Sequence, residues 1–465
     1  MAAGGFDAVI GNPPYVRQET LGGLKSYFEQ YYKSYQGTAD LYVYFIEKGL
    51  KLLNKGGRYS IIVSSSFLHT TFATKLRQYI RENSAILGFV DFGGLAVFEN
   101  AKDTYVCIPL LANGPQPSSV EIAEVKSLEM LDLEQYVEEN KRFVSPERFS
   151  KVTWSLRRQE EVDLFHKIRS TGITINEFVS GGIYRGILTG LNEAFLIDRA
   201  TKDILLSKSP NCIELVHLFY GGMDIRRYFV QDRERYLIAI PSGWTRNRMA
   251  QSSGHGPHIS EAEAWRWLKM NYKAISEHLE PFAEKAKRRQ DQGEFWWELR
   301  SCTYYHVLSG RKIIYPDIAK WPRFYLDETG AYISNTAYCL ETDDLYLLGI
   351  LNSKLFWFAI GHISIPFGTR AGRYRYRLIY QYMKQVPIRT INFDDPADVA
   401  RHDKMVALVE HMLALHKKLA AATIPADRKL YQRQIEATDR QIDGLVYELY
   451  GLTEEEVGVV EGRGV

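Results

Sequence analysis

The sequence predicts an α/β chain that opens with part of a doubly wound sheet and continues through an α+β region into a C-terminal helical hairpin. Three observations carry this reading. Residues 6–111 alternate short apolar runs with amphipathic helical patterns, the order of strands and helices packed in layers. The charge is unevenly divided: residues 1–150 carry 15 basic and 17 acidic side chains, residues 151–390 carry 34 and 25, and residues 391–465 carry 9 and 14. Near the end, Met405, Leu408, Met412, Leu415 and Leu419 follow a three–four spacing, and Ile435, Ile442, Leu445 and Leu449 resume it after Pro425.

In chain order, Phe6 to Ile10 reads as a short buried strand running into the loop Asn12-Pro13-Pro14-Tyr15. Ala39 to Leu53 is a helix stopped at Lys55-Gly56-Gly57. Arg58 to Ser64 is a strand, Thr70 to Arg81 a second helix, and Ala85 to Phe92 and Thr104 to Leu111 are further strands. The charged stretch Glu121 to Ser150 is expected to be helical and to lead out of this domain, with a boundary near Ser145 to Arg148. The expected division is therefore 1–145, 146–395 and 396–465. The sheet of the first part is only half of a doubly wound one, so it would expose an apolar edge.

The loop carries the chemistry. Two prolines fix the backbone and remove two amide donors, which frees carbonyls to face a ligand. Asn12 offers a side-chain acceptor and Tyr15 a flat aromatic face. The set suits methyl transfer to the exocyclic amine of a flipped base: Asn12 and the Pro13 carbonyl hold both amine hydrogens, and Tyr15 stacks on the ring. An ordinary turn after a strand is the plainer reading, but this tetrapeptide arises by chance in roughly one chain in a thousand of this size.

Asn12-Pro13-Pro14-Tyr15 resembles the catalytic motif of the DNA methyltransferases that modify adenine N6. The chain as a whole is similar to the TaqI-like enzymes and to the fused restriction–modification enzymes of type IIG. The resemblance implies an α/β methyltransferase sheet, a partial one here, followed by a target-recognition domain. It implies transfer from S-adenosylmethionine to adenine in duplex DNA, with Asn12 also bordering the cofactor. Phe98, in Phe92-Gly93-Gly94-Leu95-Ala96-Val97-Phe98, matches the aromatic residue that packs on the flipped base opposite Tyr15. The family's main cofactor-binding segment precedes the motif, whereas only five residues precede the first strand here. A cofactor half, with or without a nuclease segment, is therefore expected from upstream or from another subunit.

Four stretches resemble the TaqI-like recognition domain: Gly182 to Phe195, Gly221 to Tyr228, Phe295 to Arg300, and Leu351 to Leu355. They read as scaffold. Contacts to DNA are expected from basic loops between them: Arg246 and Arg248, the cluster Lys285, Lys287, Arg288 and Arg289, and the alternating stretch with Arg370, Arg373, Arg375 and Arg377. On one strand, that stretch would set its arginines on one face and its tyrosines on the other.

Cys107, Cys212, Cys302 and Cys339 form no CxxC pair, which argues against a zinc site or disulfide framework and suits a reducing cytoplasm. No apolar run reaches membrane-spanning length. No metal site is expected: Asp439, Asp443 and Glu448 read as solvated helix faces, and Pro316-Asp317 as a turn rather than a nuclease centre. Two other classes of function stay open. One is a DNA-binding specificity module without catalysis; the other is methylation of cytosine N4 or of a protein amide.

Overall fold

The computed structural model describes residues 5–99, 105–129, 132–150, 153–253, 259–364, 366–370 and 373–462. The chain forms two compact units, Met1–Gln159 with Pro366–Arg375, and Glu160–Ile365 with Tyr376–Val465.

Unit 1 is built on one mixed sheet. Its strands are β1 (Phe6–Gly11), β2 (Leu53–Ile61), β3 (Val63–Ser64), β4 (Ala85–Asp91), β5 (Val106–Ala112), β6 (Val120–Glu124) and β7 (Arg142–Val144). The order is β1-β2-β5-β4-β6-β7, with β3 paired to β5. β1 runs parallel to β2 (Ile10 opposite Ser60), and β6 parallel to β4 (Phe89 opposite Ile122). Between these pairs β5 is antiparallel to both neighbours. Helices α1 (Lys25–Tyr31), α2 (Tyr42–Lys51) and α3 (Thr74–Asn83) complete the unit. Val43 and Ile46 of α2 and Leu76 and Ile80 of α3 are fully buried with Val63 and Phe67, the core that the helical spacing implied. Gly49 permits this packing, because a Cβ there would meet the Tyr59 ring at 2.1 Å.

Three expectations are corrected. β1 is not buried: it lies at the sheet edge, with Phe6 52% and Ile10 82% exposed. Lys55-Gly56-Gly57 is not a helix stop, since α2 ends at Lys51 and the glycines lie inside β2. The stretch from Glu121 to Ser150 is not mainly helical. It supplies β6 and β7 around a helix at Leu133–Asn140, because Val120, Ile122 and Ala123 find a buried place beside β4 that outweighs the surrounding charge.

Unit 2 is α+β. One four-stranded sheet orders Leu196–Asp198, Arg235–Ile238, Val216–Tyr220 and Tyr332–Ile333. Another orders Tyr325–Asp327, Lys312–Pro316, Ala337–Leu340 and Ile183–Arg185. Ile313, Ile314, Tyr315, Leu340 and Trp297 are wholly buried. The C-terminal hairpin forms from Pro396–Ala421 and Pro425–Leu449, with a proline in the first turn of each helix. Met405, Val409, Met412 and Leu415 line its buried seam, and Gly349 makes room for Met405. Among the described residues no single helix is long and apolar enough to cross a membrane.

Candidate active site

β1 delivers the Asn12 loop at its carboxyl end. The Gly11 carbonyl accepts from Ile62 N at 3.1 Å, so the parallel pairing continues to the last residue before the loop. Pro13 is buried and acts as the anchor, while Asn12, Pro14 and Tyr15 are exposed. The Pro14 carbonyl accepts from Val16 N at 3.0 Å, and the Val16 carbonyl from Leu41 N at 3.1 Å, which closes the turn against the start of α2. Among the described residues, neither the Asn12 side chain nor the Pro13 carbonyl has a hydrogen-bond partner. The turn therefore leaves two acceptors on consecutive residues without a protein partner and available to an amine.

Tyr15 and Phe98 come together from 83 positions apart, their ring centroids 5.6 Å apart and 63° from parallel. The Tyr15 hydroxyl donates to the Ile62 carbonyl at 3.3 Å, and burial pushes its phenol up to about 12. Tyr15 is thus neutral at any working pH and serves as a ring. Because the two rings meet edge to face at this separation, a planar base enters between them only after they turn and part.

The loop that carries Phe98 is tied at several points. Gly93, with φ +51°, donates its N–H to Asp91 Oδ1 at 2.9 Å. Gly94 N donates to the Tyr374 hydroxyl at 3.1 Å, and Tyr374 stacks on Tyr105 with centroids 5.8 Å apart. A Cβ at Gly93 would lie 2.0 Å from the Tyr374 oxygen, so glycine is required there. Sequence reasoning missed Tyr374 as a support of this loop, and no local signal marks it.

Burial raises the Asp91 carboxyl to about 6. The folded chain then holds this proton more tightly than the unfolded chain, whose value is 3.8. The associated stability is present below pH 4 and lost as pH rises through about 6. Asp91→Asn keeps the acceptor for Gly93 and removes the charge. Its Tm is expected to exceed that of the parent at pH 8 and to equal it near pH 4. An equal gain at both pH values would contradict this account.

The expected DNA contacts have varied surroundings. Arg289 is withdrawn from the set: its buried guanidinium donates to the carbonyls of Thr189 (2.6 Å), Trp296 (2.6 Å) and Glu298 (2.9 Å). Arg246 pairs with Glu294 at 3.0 Å, Arg248 with Glu214, and Lys287 with Glu261 at 3.7 Å. Arg288 has no carboxylate partner among the described residues. The arginine–tyrosine stretch is not one strand, since Arg370 ends Pro366–Arg370 and a new strand runs Arg373–Arg377. Ala371, Gly372 and the side chains of Arg370 and Arg373 lie outside the described residues. Arg375 lies over the Phe367 ring at 5.4 Å, Arg377 is exposed, and Tyr376 is buried against Trp357.

Three of the four stretches expected to be scaffold tie their surroundings together. Asp224 accepts from Gly221 N and pairs with Arg233 and Arg235. Glu298 accepts from the backbone of Gly243, Thr245 and Glu294. Asn352 exchanges two hydrogen bonds with the Phe324 backbone. Asp439 and Asp443 are not solvated faces: Asp439 pairs with Arg227, and Asp443 is buried and accepts from Lys354 N at 2.9 Å. Glu448 pairs with Arg401 at 2.9 Å.

Residues 1–98 match the family model described as Eco57I restriction-modification methylase, and residues 217–388 match the TaqI-like C-terminal specificity domain. The chain is 24% identical, across 98% of its length, to the type II restriction enzyme and methyltransferase RM.Eco57I of Escherichia coli, of which it covers 47%. It is 30% identical over 217 residues to the type II methyltransferase M.BstVI of Geobacillus stearothermophilus, covering 43% of this chain and 38% of that protein. M.XhoI of Xanthomonas vasicola is 22% identical over 98% of this chain and 76% of its own length. The chain thus spans about half or less of the first two relatives. Among solved structures, the type IIL restriction-modification enzyme MmeI in complex with DNA shares the fold, with a TM-score of 0.56 at 12% identity over 97% of this chain and 55% of that one.

Proposed function

We propose that this chain, a type IIG adenine methyltransferase-like protein by its matching segments, carries the catalytic loop and recognition domain of a DNA methyltransferase acting on adenine N6. One observation carries the reading: two unsatisfied acceptors, on Asn12 and Pro13, lie at the end of β1 beside the aromatic pair Tyr15 and Phe98. The flipped adenine stacks between the two rings, and base stacking offsets the few kcal/mol that unpairing costs. Asn12 Oδ1 and the Pro13 carbonyl each accept one amine hydrogen. The nitrogen lone pair, otherwise delocalised into the ring, is thereby turned away from it. S-adenosylmethionine, if held beside this loop, would supply the electrophilic methyl group, the nitrogen–carbon bond forming as the sulfur–carbon bond breaks to leave a neutral thioether and one amine proton passes to solvent.

Asn12 borders the cofactor in this reading, and the free edge of β1 favours the rest of its site coming from an added layer. A further strand there would bury Phe6 and Ile10 and lie next to the Asn12 loop. That layer, from an upstream segment or a subunit, would carry the cofactor half and any nuclease. A second reading is a DNA-binding specificity module without catalysis of its own, which the match of residues 217–388 to the TaqI-like C-terminal specificity domain supports. In the transfer reading residues 1–145 hold the transfer site, 146–395 the recognition domain and 396–465 its supporting hairpin, whereas the compact units place 146–159 and 366–375 with the first part.

Duplex DNA is the substrate. Arg246, Arg248, Lys287, Arg288, Arg375 and Arg377 are proposed to reach it, with Arg370 and Arg373 from the same hairpin. Exposed ion pairs such as Arg246–Glu294 contribute about 0–1 kcal/mol, so a phosphate displaces the carboxylate at little cost.

The test uses the purified chain, mixed-sequence duplex DNA and methyl-labelled S-adenosylmethionine. Label in adenine supports the transfer reading, and label in cytosine overturns the choice of base. Absence of label alongside salt-dependent DNA binding would leave the specificity module.

A further inference from the structure

Lys312–Pro316 and Tyr325–Asp327 form an antiparallel pair, with Ile314 opposite Tyr325. The segment that joins them is held at both ends. Ile318 and Ala319 pair with Arg377 and Tyr376, and buried Phe324 exchanges two hydrogen bonds with Asn352. The Phe324 carbonyl also accepts from Tyr228 N at 3.0 Å. Between these fixed points the chain reads Lys320-Trp321-Pro322-Arg323, and Trp321 is 38% exposed. Lys320 Nζ lies 5.3 Å from the centre of its ring and the Arg323 guanidinium 4.9 Å.

The charge around this ring is uncompensated. Arg323 is half-buried, and no hydrogen-bond partner reaches its buried Nε among the described residues. Arg226 lies close enough to act on the charge of Arg323, and its own bonds go to carbonyls of Met223 and Ile225 and to Gln231. Among the described residues, none of Lys320, Arg323 and Arg226 has a carboxylate within ion-pairing distance. This contrasts with Arg246, Arg248 and Lys287, each of which has one. Lys320 and Arg323 both lie over the exposed indole, Arg226 acts on Arg323 with like charge, and no carboxylate among the described residues balances the three. A polyanion with apolar C–H surface between its charges balances the cations and covers the indole, and the phosphates and intervening deoxyriboses of DNA supply both.

We propose that Lys320, Trp321, Arg323 and Arg226 form a contact surface for the backbone of duplex DNA. The inference rests on the DNA-binding reading above and names a surface outside the basic stretches that reading uses. The cations take successive phosphates, and Trp321 packs on the intervening deoxyribose or base edge.

The test is fluorescence anisotropy of a dye-labelled mixed-sequence duplex, titrated with the full chain at several potassium chloride concentrations. The parent should show a steep salt dependence. Lys320→Ala and Arg323→Ala should each reduce the slope of log affinity against log salt by about 1. Trp321→Ala should weaken binding by at least about fivefold. Lys208→Ala, which removes an exposed cation paired with Glu277, should leave slope and affinity unchanged. Circular dichroism and Tm confirm folding, and Arg323→Lys keeps the charge and should restore the slope. A parent that binds steeply while Lys320→Ala and Trp321→Ala match it overturns this surface and leaves the DNA reading standing. A parent without salt-dependent binding overturns the reading itself. Binding restricted to single strands overturns the duplex assignment.

Discussion

Asn12→Ala is expected to lower methyl transfer by about 10²–10³-fold or more while DNA affinity stays within about twofold. The side chain is exposed and has no partner in the free protein, so its removal leaves no buried group unsatisfied and should not change Tm. In the proposed reaction its whole contribution falls on the bound amine. The Pro13 carbonyl remains as an acceptor, but one acceptor leaves the amine free to rotate its lone pair back into conjugation. Asn12→Asp keeps an acceptor at the same place and adds negative charge. It should retain more activity than Asn12→Ala, with the loss in kcat rather than KM. The measurement is single-turnover transfer of labelled methyl to adenine, in a preparation whose parent transfers label. Turnover by Asn12→Ala at near the parental rate would refute the assignment. A loss confined to DNA affinity would assign Asn12 to binding instead.

The parts of this fold legible in the sequence are those with local periodicity. The helical spacing in Tyr42–Lys51 and the proline-started helices of the C-terminal hairpin identify themselves, because the apolar stripe and the stop signals lie within one element. β6 was hidden by its neighbourhood. Its apolar residues are only Val120, Ile122 and Ala123, and the ten charged residues that follow within 125–150 favour a solvated helix. Arg289 was hidden for another reason. A Lys-x-Lys-Arg-Arg run reads as surface, yet the acceptors that draw Arg289 inward come from Thr189, Trp296 and Glu298, which share no local pattern. The same holds at the candidate site. The Asn12 turn is written in four consecutive residues, whereas the meeting of Tyr15 with Phe98 and the Tyr374 bond to Gly94 depend on sheet order and distant chain return. Trp321 stands alone between Lys320 and Arg323 with no wider basic run to mark it, and its exposure distinguishes it.

Lys312→Ala is expected to destabilise unit 2 by about 3–5 kcal/mol. Lys312 and Asp327 stand opposite each other in the antiparallel pair, both wholly buried, with Nζ 2.6 Å from Oδ2. Each charge has further partners. Nζ also donates to the Gly310 carbonyl at 3.0 Å, and Asp327 Oδ1 accepts from Thr329 N at 3.0 Å and its hydroxyl at 2.7 Å. Removing the lysine strands a carboxylate where water does not reach, and that penalty exceeds the net worth of the intact pair. The double variant Lys312→Met/Asp327→Leu removes both charges and keeps volume, so it should cost less than Lys312→Ala alone. Urea unfolding followed by circular dichroism measures all three. A cost under about 1 kcal/mol for Lys312→Ala would mean that Asp327 reaches solvent and that the pair is not sealed. The pair also closes the base of the hairpin whose connection displays Trp321. Lys312→Ala should therefore loosen that connection and weaken DNA binding, whereas the double variant should bind as the parent does. That difference ties the stability of the buried pair to the presentation of the surface above it.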